Sequence, residues 1–335
     1  MSTERSPRSP SADDGGEAGP ISPIDEPATQ PCHDVPSRDV AVVDTARDYR
    51  KYWPMLRTSS PVRALSNTDR DEALALCARD PTANVFVASR IEEGVLHAMP
   101  GSLLGYRVDG ELRGMCWVSA NVVPVECDAE ALEAISIRLR RWHRGCASIF
   151  GPTAQVESLW ELLAPHWGRP RSIRWRQPLM ETRVLPPDLG VAVDPRVRVA
   201  RDDEVDKVLP AAAAMFTDEI GYPPYHGSSR GYRSLIAQLI KDGHTYLWVD
   251  DGEVLFKADV GSVAIGAAQI QGVWLAPRLR GQGLAGPLMA GATALILADV
   301  APLATLYVND FNAAARATYS AIGFTEVGTF TTVLL

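Results

Sequence analysis

Residues 272–286 read GVWLAPRLRGQGLAG, and this stretch decides how the C-terminal part of the chain is interpreted. An apolar run at 273–275 meets Pro277, and two glycines then punctuate a short loop before an Ala- and Leu-rich segment typical of a helix. Gly281 and Gly283 lack a Cβ, so the backbone can approach a ligand closely there. Successive amide N–H groups followed by a helix N-terminus favour an anion such as pyrophosphate. A purely structural turn between a strand and a helix would show the same pattern.

A second pattern follows about twenty residues later. Residues 303–308 form a β-like run, Asn312 stands where a helix N-cap belongs, and Gly323 stands where a helix ends. Ala315 and Tyr319 are four residues apart and therefore share one face of the predicted helix.

Together the two patterns resemble the GNAT superfamily (GCN5-related N-acetyltransferases), which are acyl-CoA-dependent N-acyltransferases. Residues 280–285, RGQGLA, match its loop [R/Q]-x-x-G-x-[G/A], and residues 312–324 match its second motif, N-x-x-A-x-x-x-Y-x-x-x-G-F. The resemblance covers residues 197–335. It implies an α/β (α+β) fold whose mixed, mostly antiparallel sheet is flanked by helices, with acetyl-CoA as co-substrate and no metal.

The same resemblance implies which residues bind the cofactor. The amide of Leu275 would bind the acyl carbonyl, the loop amides from Leu279 onward would bind the pyrophosphate, and a bulge at Gly272 would separate two strands. Asn312 would bind the pantetheine arm, cap its helix, or do both. The predicted cofactor-binding residues are Leu275, Arg280, Gly281, Gln282, Gly283, Leu284, Ala285 and Asn312.

For catalysis the resemblance implies that Tyr319 is the general acid that protonates the departing CoA thiolate; without it, a packed tyrosine on a helix face is the simpler interpretation. The predicted strand 263–275 carries two glutamines but no carboxylate that could act as general base. Three alternatives stay open: a water relay, an acidic residue at the end of the first helix (Asp218 or Glu219), or a substrate amine that arrives neutral. We take Tyr319 and Glu219 as the catalytic candidates.

Residues 220–226, IGYPPYH, join the first two helices of this half, where the family builds its acceptor pocket. We expect Tyr222, Tyr225 and His226 to contact the incoming amine, although aromatic side chains in such a loop also cover the edge of a core. Lys257 and Asp259 border the predicted hairpin, and we expect them to be solvated unless they face the cleft.

Residues 62–184 repeat the same order of elements, which predicts two GNAT-like domains in tandem. In the first repeat, however, residues 124–130 contain three acids and no glycine, and these charges would repel pyrophosphate. We therefore predict a disordered Ser/Pro-rich tail (1–40), a degenerate GNAT-like domain without a phosphate loop (41–190) and an acyltransferase domain (195–335). The whole resembles actinobacterial tandem GNAT proteins whose N-terminal half is a domain of unknown function.

Composition limits the partners. The formal net charge of −8 argues against nucleic acid or an anionic membrane as the main partner. Five cysteines without metal-site spacing, the absence of a secretory apolar core in the first residues and the lack of an apolar run of membrane-spanning length all favour a cytoplasmic protein with free thiols. The oligomeric state is left open, a homodimer included.

Three functions are compatible with these patterns. The leading one is transfer of an acetyl group to a primary amine of a small molecule or a protein, with a mycothiol-synthase-like acetyltransferase as a narrower variant. The second is a non-catalytic acyl-CoA sensor, favoured by the missing strand carboxylate. The third is a protein that binds a partner and no CoA.

Overall fold

The computed structural model describes residues 60–141 and 145–335. The predicted tail at 1–40 and the first residues of the predicted N-terminal domain lie outside the described residues. In the part that is described, no helix is both long enough and apolar enough to cross a membrane.

The N-terminal half contains six strands and five helices among its described residues. In chain order these are β1 (Val62–Ala64), α1 (Arg70–Cys77), α2 (Pro81–Glu92), α3 (Val95–Ala98), β2 (Leu103–Val108), β3 (Glu111–Val118), β4 (Asn121–Val125), α4 (Ala129–Leu139), β5 (Ser148–Pro152), α5 (Thr153–Trp167) and β6 (Ser172–Thr182).

The C-terminal half repeats this order, with two helices instead of three after its first strand. Its elements are β7 (Arg198–Val199), α6 (Val205–Ile220), α7 (Arg230–Lys241), β8 (Thr245–Asp250), β9 (Glu253–Ala264), β10 (Ala267–Leu275), α8 (Ala285–Asp299), β11 (Leu303–Tyr307), α9 (Ala313–Ala321) and β12 (Thr325–Leu334). The repetition predicted from the order of elements is confirmed.

The two halves share one sheet because they exchange their last strands. The strand order is β1-β2-β3-β4-β5-β12-β6-β11-β10-β9-β8-β7. β12, from the C-terminal half, pairs with β5, whereas β6, from the N-terminal half, pairs with β11. The exchanged strands also pair with each other, antiparallel, over residues 172–181 and 325–334. Each half keeps one parallel pair, β4 with β5 and β10 with β11.

The exchange places residues of both halves in a single apolar core. Phe330 of β12 is 1% exposed and packs with Phe150 of β5, Leu179 of β6 and the side chains of α1 and α2. The ring of Tyr307 on β11 lies 5.2 Å from that of Phe330 and 6.3 Å from that of Phe150, measured between centroids. The aromatic side chains at the centre of the sheet therefore come from both halves.

Two details of the sequence interpretation are wrong or incomplete. Residues 263–275 do not form one strand, because a tight turn at Ile265 (φ +48°) and Gly266 (φ +74°) separates β9 from β10. An isoleucine in the left-handed region is uncommon, and so the sequence does not signal this turn. Residues 167–184, at the end of the predicted first repeat, contain β6, which the sequence pattern does not signal as a strand.

Candidate active site in the C-terminal half

A cleft opens where β10 and β11 separate. The two strands pair in parallel only at residues 267–269 and 303–305. Beyond that point β10 stays paired with β9 up to Leu275, and β11 stays paired with β6 up to Tyr307. Each strand follows its other neighbour, and a gap is left between them.

A bulge at Gly272 redirects β10 at the cleft. Gln271 pairs with Asp259 and Trp274 with Lys257, so two residues of β10 stand opposite one residue of β9. Gly272 has φ +61°, in the left-handed region that glycine adopts without strain. The predicted bulge is confirmed.

The amide of Leu275 is directed toward the cleft. The neighbouring amide of Ala276 donates to the carbonyl of Leu255 on the β9 side at 2.9 Å. Because N–H directions alternate along an antiparallel strand, the amide of Leu275 faces the opposite side, where β11 is no longer paired. Its position suits a donor to an acyl carbonyl.

The glycine loop presents a run of unpaired amides. The amides of Leu279 and Arg280 are already bonded to the carbonyls of Ala276 and Pro277, at 2.8 and 3.2 Å. Within the described residues, the amides of 281–286 have no acceptor. The predicted donor run, Leu279 to Ala285, therefore begins two residues later and ends one residue later: Gly281, Gln282, Gly283, Leu284, Ala285 and Gly286 supply the free N–H groups at the start of α8. Such a row of donors has the geometry that suits an anion.

Arg280 joins this loop to the end of α6. Its Nε donates to the carbonyl of Leu275 at 3.0 Å, and its guanidinium forms an ion pair with Asp218 at 3.1 Å. The arginine thus holds the end of β10 and the phosphate loop in one arrangement, and it places a positive charge beside the free amides. The side chain of Gln282 fixes the loop further by donating to the carbonyl of Arg278 at 2.7 Å.

Asn312 and Tyr319 lie on α9 as the second motif predicts. The Asn312 side chain accepts a hydrogen bond from the amide of Ala315 at 3.2 Å, which makes it the N-cap. Tyr319 is 8% exposed and packs with Phe324, whose ring centroid is 6.0 Å away. Burial, with a smaller contribution from the charge of Glu219, raises the pKa of Tyr319 to about 12. The phenol therefore keeps its proton throughout the neutral range.

Both acidic candidates at the end of α6 are held by arginines. Asp218 pairs with Arg280, and Glu219 pairs with Arg174 at 3.3 Å. Arg174 also donates to the backbone carbonyl of Glu219 at 3.0 Å. Since Arg174 belongs to the exchanged strand β6, the N-terminal half supplies part of this site.

The predicted acceptor residues are brought together only in part. Tyr222 and Tyr225 join an aromatic cluster on α6 and α7, in which Phe216 contacts Tyr222 (5.9 Å) and Tyr225 contacts Tyr232 (5.9 Å). The guanidinium of Arg171 lies 5.1 Å above the ring of Tyr222. His226 is exposed and has no hydrogen bond or ring contact within the described residues.

Lys257 and Asp259 are buried, contrary to the expectation that they are solvated. They lie in β9, are 1% and 7% exposed, and face the bulge at Gly272. The sequence carries a signal for this burial, because both charges interrupt the apolar run VLFKADV, well beyond the turn at Gly252. Gln269, at the point where β10 and β11 separate, is 5% exposed, and its side-chain nitrogen has no partner among the described residues.

The connection between β4 and α4 in the N-terminal half differs from the glycine loop. β4 ends at Val125 and α4 starts at Ala129, where the Asp128 side chain accepts from the amide of Ala131 at 2.8 Å. The amide of Cys127 is also bonded, to the side chain of Gln155 at 2.9 Å. The three acids of residues 124–130 would repel a phosphate here, and the prediction that this half binds none stays a prediction.

Residues 101–208 match a family model described as a domain of unknown function (DUF4081). No curated protein matches the sequence.

Solved structures resemble the chain over most of its length. A Drosophila protein solved by structural genomics has a TM-score of 0.55 and 15% identity, covering 82% of this chain and 99% of its own. A GCN5-related N-acetyltransferase from Sphaerobacter thermophilus has a TM-score of 0.50 and 16% identity, covering 82% and 95%. A tandem GNAT protein from the clavulanic acid biosynthesis pathway matches at 15% identity over 82% and 98%, but its TM-score of 0.49 is too low to support an inference.

Identities this low establish the fold alone. The two halves, each with a splayed parallel pair and the same order of elements, and the match to solved structures over most of the chain give one conclusion: the protein has the fold of two GNAT domains in tandem.

Proposed function

We propose that the C-terminal half transfers an acetyl or other acyl group from acyl-CoA to a primary amine of a small molecule or a protein. The observation that carries this proposal is the row of six unpaired amides, Gly281–Gly286, at the end of a bulged strand beside an open cleft. The pyrophosphate of CoA is the diphosphate that such a row would bind, with Arg280 as its fixed counter-charge.

The reaction follows from the positions of the remaining groups. With acyl-CoA in the cleft, the amide of Leu275 stabilises the oxyanion that forms when the amine attacks the thioester, a contribution of ~3–4 kcal/mol in comparable sites. The collapse of that intermediate releases the CoA thiolate, to which Tyr319 donates its proton. Glu219 lies close enough to Tyr319 to influence its pKa, and the attacking amine loses a proton to Glu219 or to a water molecule that Glu219 binds.

The acceptor enters beside the aromatic cluster of Tyr222 and Tyr225. Tyr222 is 46% exposed at the surface. An aromatic ring attracts a cation over its face, as the guanidinium of Arg171 does over Tyr222, and the ammonium form of the acceptor would be drawn to a ring of this cluster that Arg171 does not cover.

A non-catalytic acyl-CoA sensor is the second candidate, and one observation favours it. Asp218 and Glu219 are both engaged in ion pairs with arginines, and β10 carries no carboxylate. A sensor would bind acyl-CoA and turn over no amine, while a protein that only binds a partner would bind no CoA.

Replacing Gly283 by Glu tests the cofactor site. The glutamate places a negative charge among the free amides, and we expect the affinity for acetyl-CoA to fall by at least about 100-fold, because a charged group that must be buried unpaired costs several kcal/mol. The measurement is isothermal titration with acetyl-CoA, supported by the ligand-induced rise in Tm.

Gly110→Glu is the matched control. Gly110 also has positive φ (+88°), also has open space where a Cβ would lie, and belongs to the hairpin of the N-terminal half. It carries the same backbone strain and the same added charge. Equal affinity in Gly283→Glu and Gly110→Glu would reject the loop as the phosphate site.

A further inference from the structure

A buried ion pair lies beneath the bulge of β10. The ammonium of Lys257 contacts the carboxylate of Asp259 and donates a hydrogen bond to the carbonyl of Gly272 at 3.1 Å. The hydroxyl of Thr245 donates to the other oxygen of Asp259 at 3.0 Å. Across residues 60–141 and 145–335, no other lysine or arginine is buried to this degree.

Stability alone does not account for this pair. Removing two charges from water carries a desolvation penalty, and apolar residues of similar volume often serve a core as well or better. A charged pair placed against one particular backbone carbonyl instead specifies the conformation of that backbone. The carbonyl it specifies belongs to Gly272, the residue that makes the bulge.

The ion pair and the bulge fit each other closely. A Cβ on Gly272 would lie 2.8 Å from the carboxylate of Asp259, 3.0 Å from the ammonium of Lys257 and 3.3 Å from the sulfur of Met215. Only a glycine, at its observed φ of +61°, leaves room for both charged groups. The strand is therefore bent around the pair.

The direction of the Gly272 carbonyl also fixes the amide that follows it. In a trans peptide the C=O and N–H bonds point in opposite directions, and no cis bond occurs among the described residues. Because the carbonyl points to Lys257, the N–H of Val273 points away from the ion pair. From this peptide the strand continues to Leu275, whose amide faces the cleft.

We propose that Lys257, held by Asp259, is a positioning residue that sets the direction of the amides after the bulge and so gives the site its preference for acyl-CoA over free CoA. This inference rests on the proposed function. The thioester carbonyl accepts hydrogen bonds from these amides, whereas free CoA has no such carbonyl. The pyrophosphate loop contacts the part that both ligands share, so only the acylated ligand depends on Lys257.

The test compares two dissociation constants, for acetyl-CoA and for free CoA, in the full chain by isothermal titration. The wild type should bind acetyl-CoA more tightly. In Lys257→Met this preference should fall about three- to tenfold, the range expected when one hydrogen bond to the carbonyl is lost or misaligned, with the affinity for free CoA nearly unchanged. Lys257→Arg, which keeps a charged donor, should restore most of the preference.

Arg198→Met is the matched control for a purely structural role. Arg198 forms a two-pronged ion pair, at 2.8 Å for each contact, with Glu204, which is 1% exposed and lies between β7 and α6. This variant should lower Tm without changing the preference. If Lys257→Met is too unstable to titrate, Thr245→Val removes one hydrogen bond to Asp259 and should reduce the preference in the same direction by a smaller factor.

The possible outcomes distinguish a failure of the positioning role from a failure of the proposed function. A wild type without preference, or a Lys257→Met variant that loses affinity for both ligands equally, overturns the positioning role while leaving the CoA site intact. A wild type that binds neither ligand refutes the proposed function, and the positioning role falls with it.

Discussion

The connection from β4 to α4 and the connection from β10 to α8 occupy equivalent places in the two halves and have opposite properties. The first consists of residues 126–128 and ends in Asp128, whose carboxylate accepts the hydrogen bond of the helix amide. The second spans residues 276–284, ends in Leu284 and leaves the first amides of its helix unpaired. Among the described residues, the third amide of α4 has a side-chain acceptor, whereas the first amides of α8 have none.

The comparison shows how little differs between a repeat whose helix N-terminus is capped by a side chain and a repeat whose first helix amides are free. The sheet, the splayed parallel pair and the order of helices are retained in both halves. The acceptor for the helix amides and the length of one connection are what differ. Each of the following predictions tests one part of this contrast.

The largest expected effect concerns the apolar core that the two halves share. Phe330→Ala, in β12, should lower the free energy of unfolding by about 3–5 kcal/mol, because a large buried ring is replaced by a cavity in the core beneath α1 and α2. The measurement is urea unfolding monitored by fluorescence and circular dichroism. Val327→Ala in the same strand is the control, since Val327 is 51% exposed and should change stability by less than about 0.5 kcal/mol. Similar values for the two variants would contradict the shared core.

The second effect concerns the proposed general acid, Tyr319 on α9. The helix at the equivalent place in the N-terminal half, α5, contains no tyrosine and cannot supply this acid. Tyr319→Phe should lower kcat by about 100-fold, the usual loss for a general acid, and leave the affinity for CoA within about twofold. The measurement is release of the CoA thiol with an amine found by screening. Tyr246→Phe, another buried tyrosine whose pKa is raised to about 12, is the control and should keep full kcat. A wild type that binds acetyl-CoA but turns over no amine would favour the sensor.

The third effect compares two helix caps. Asp128→Ala and Asn312→Ala each remove a side chain that accepts from the third helical amide, and each should cost about 1 kcal/mol of stability. Only Asn312→Ala should also weaken acetyl-CoA binding if that side chain contacts the pantetheine arm. Titration of both variants with acetyl-CoA tests whether Asn312 contacts the ligand. If both variants lose stability and neither loses affinity, Asn312 serves only as a helix cap.

The last effect is a dependence on alkaline pH. Burial raises the pKa of Tyr307 and of Tyr319 to about 12, with Glu219 adding to both. The folded state therefore keeps these protons where the unfolded state has lost them, and the free energy of unfolding should be constant up to pH ~10 and fall between pH ~10 and ~12. Tyr319→Phe should make this fall shallower in urea titrations at successive pH values. An unchanged slope would mean that the phenol is more solvated than its burial indicates.

The sequence predicted where the motif residues lie because its signals are local. A glycine-punctuated loop, an N-cap and a tyrosine on a helix face are each set by a few adjacent residues, and the loop, the cap and the buried tyrosine lie where their motifs place them. The roles of Tyr319, Glu219 and the acceptor residues stay predictions, since they depend on ligands. The sequence did not predict which loop amides are free. A 3₁₀ turn at Pro277–Leu279 takes the amides of Leu279 and Arg280 into backbone hydrogen bonds.

What the sequence did not predict is non-local. Nothing in the sequence of residues 172–182 indicates that this strand pairs with β11 rather than with β5, because either pairing would bury the same alternate side chains. The ion pair of Arg174 with Glu219 depends on this strand pairing, and the sequence therefore does not predict it either. Lys257 and Asp259 are buried because α6 and α7 pack on β9, and the sequence pattern of a strand does not indicate which helices pack on it.

The exchange of last strands has a consequence for synthesis on the ribosome. The edge of β5 is covered by β12, which emerges after β7–β11, so the sheet of the N-terminal half is incomplete until these strands have been translated. During that interval an unpaired strand edge is exposed, and it would pair with the same edge of another nascent chain. The speed of elongation through the C-terminal half thus sets how long each new molecule is vulnerable to aggregation.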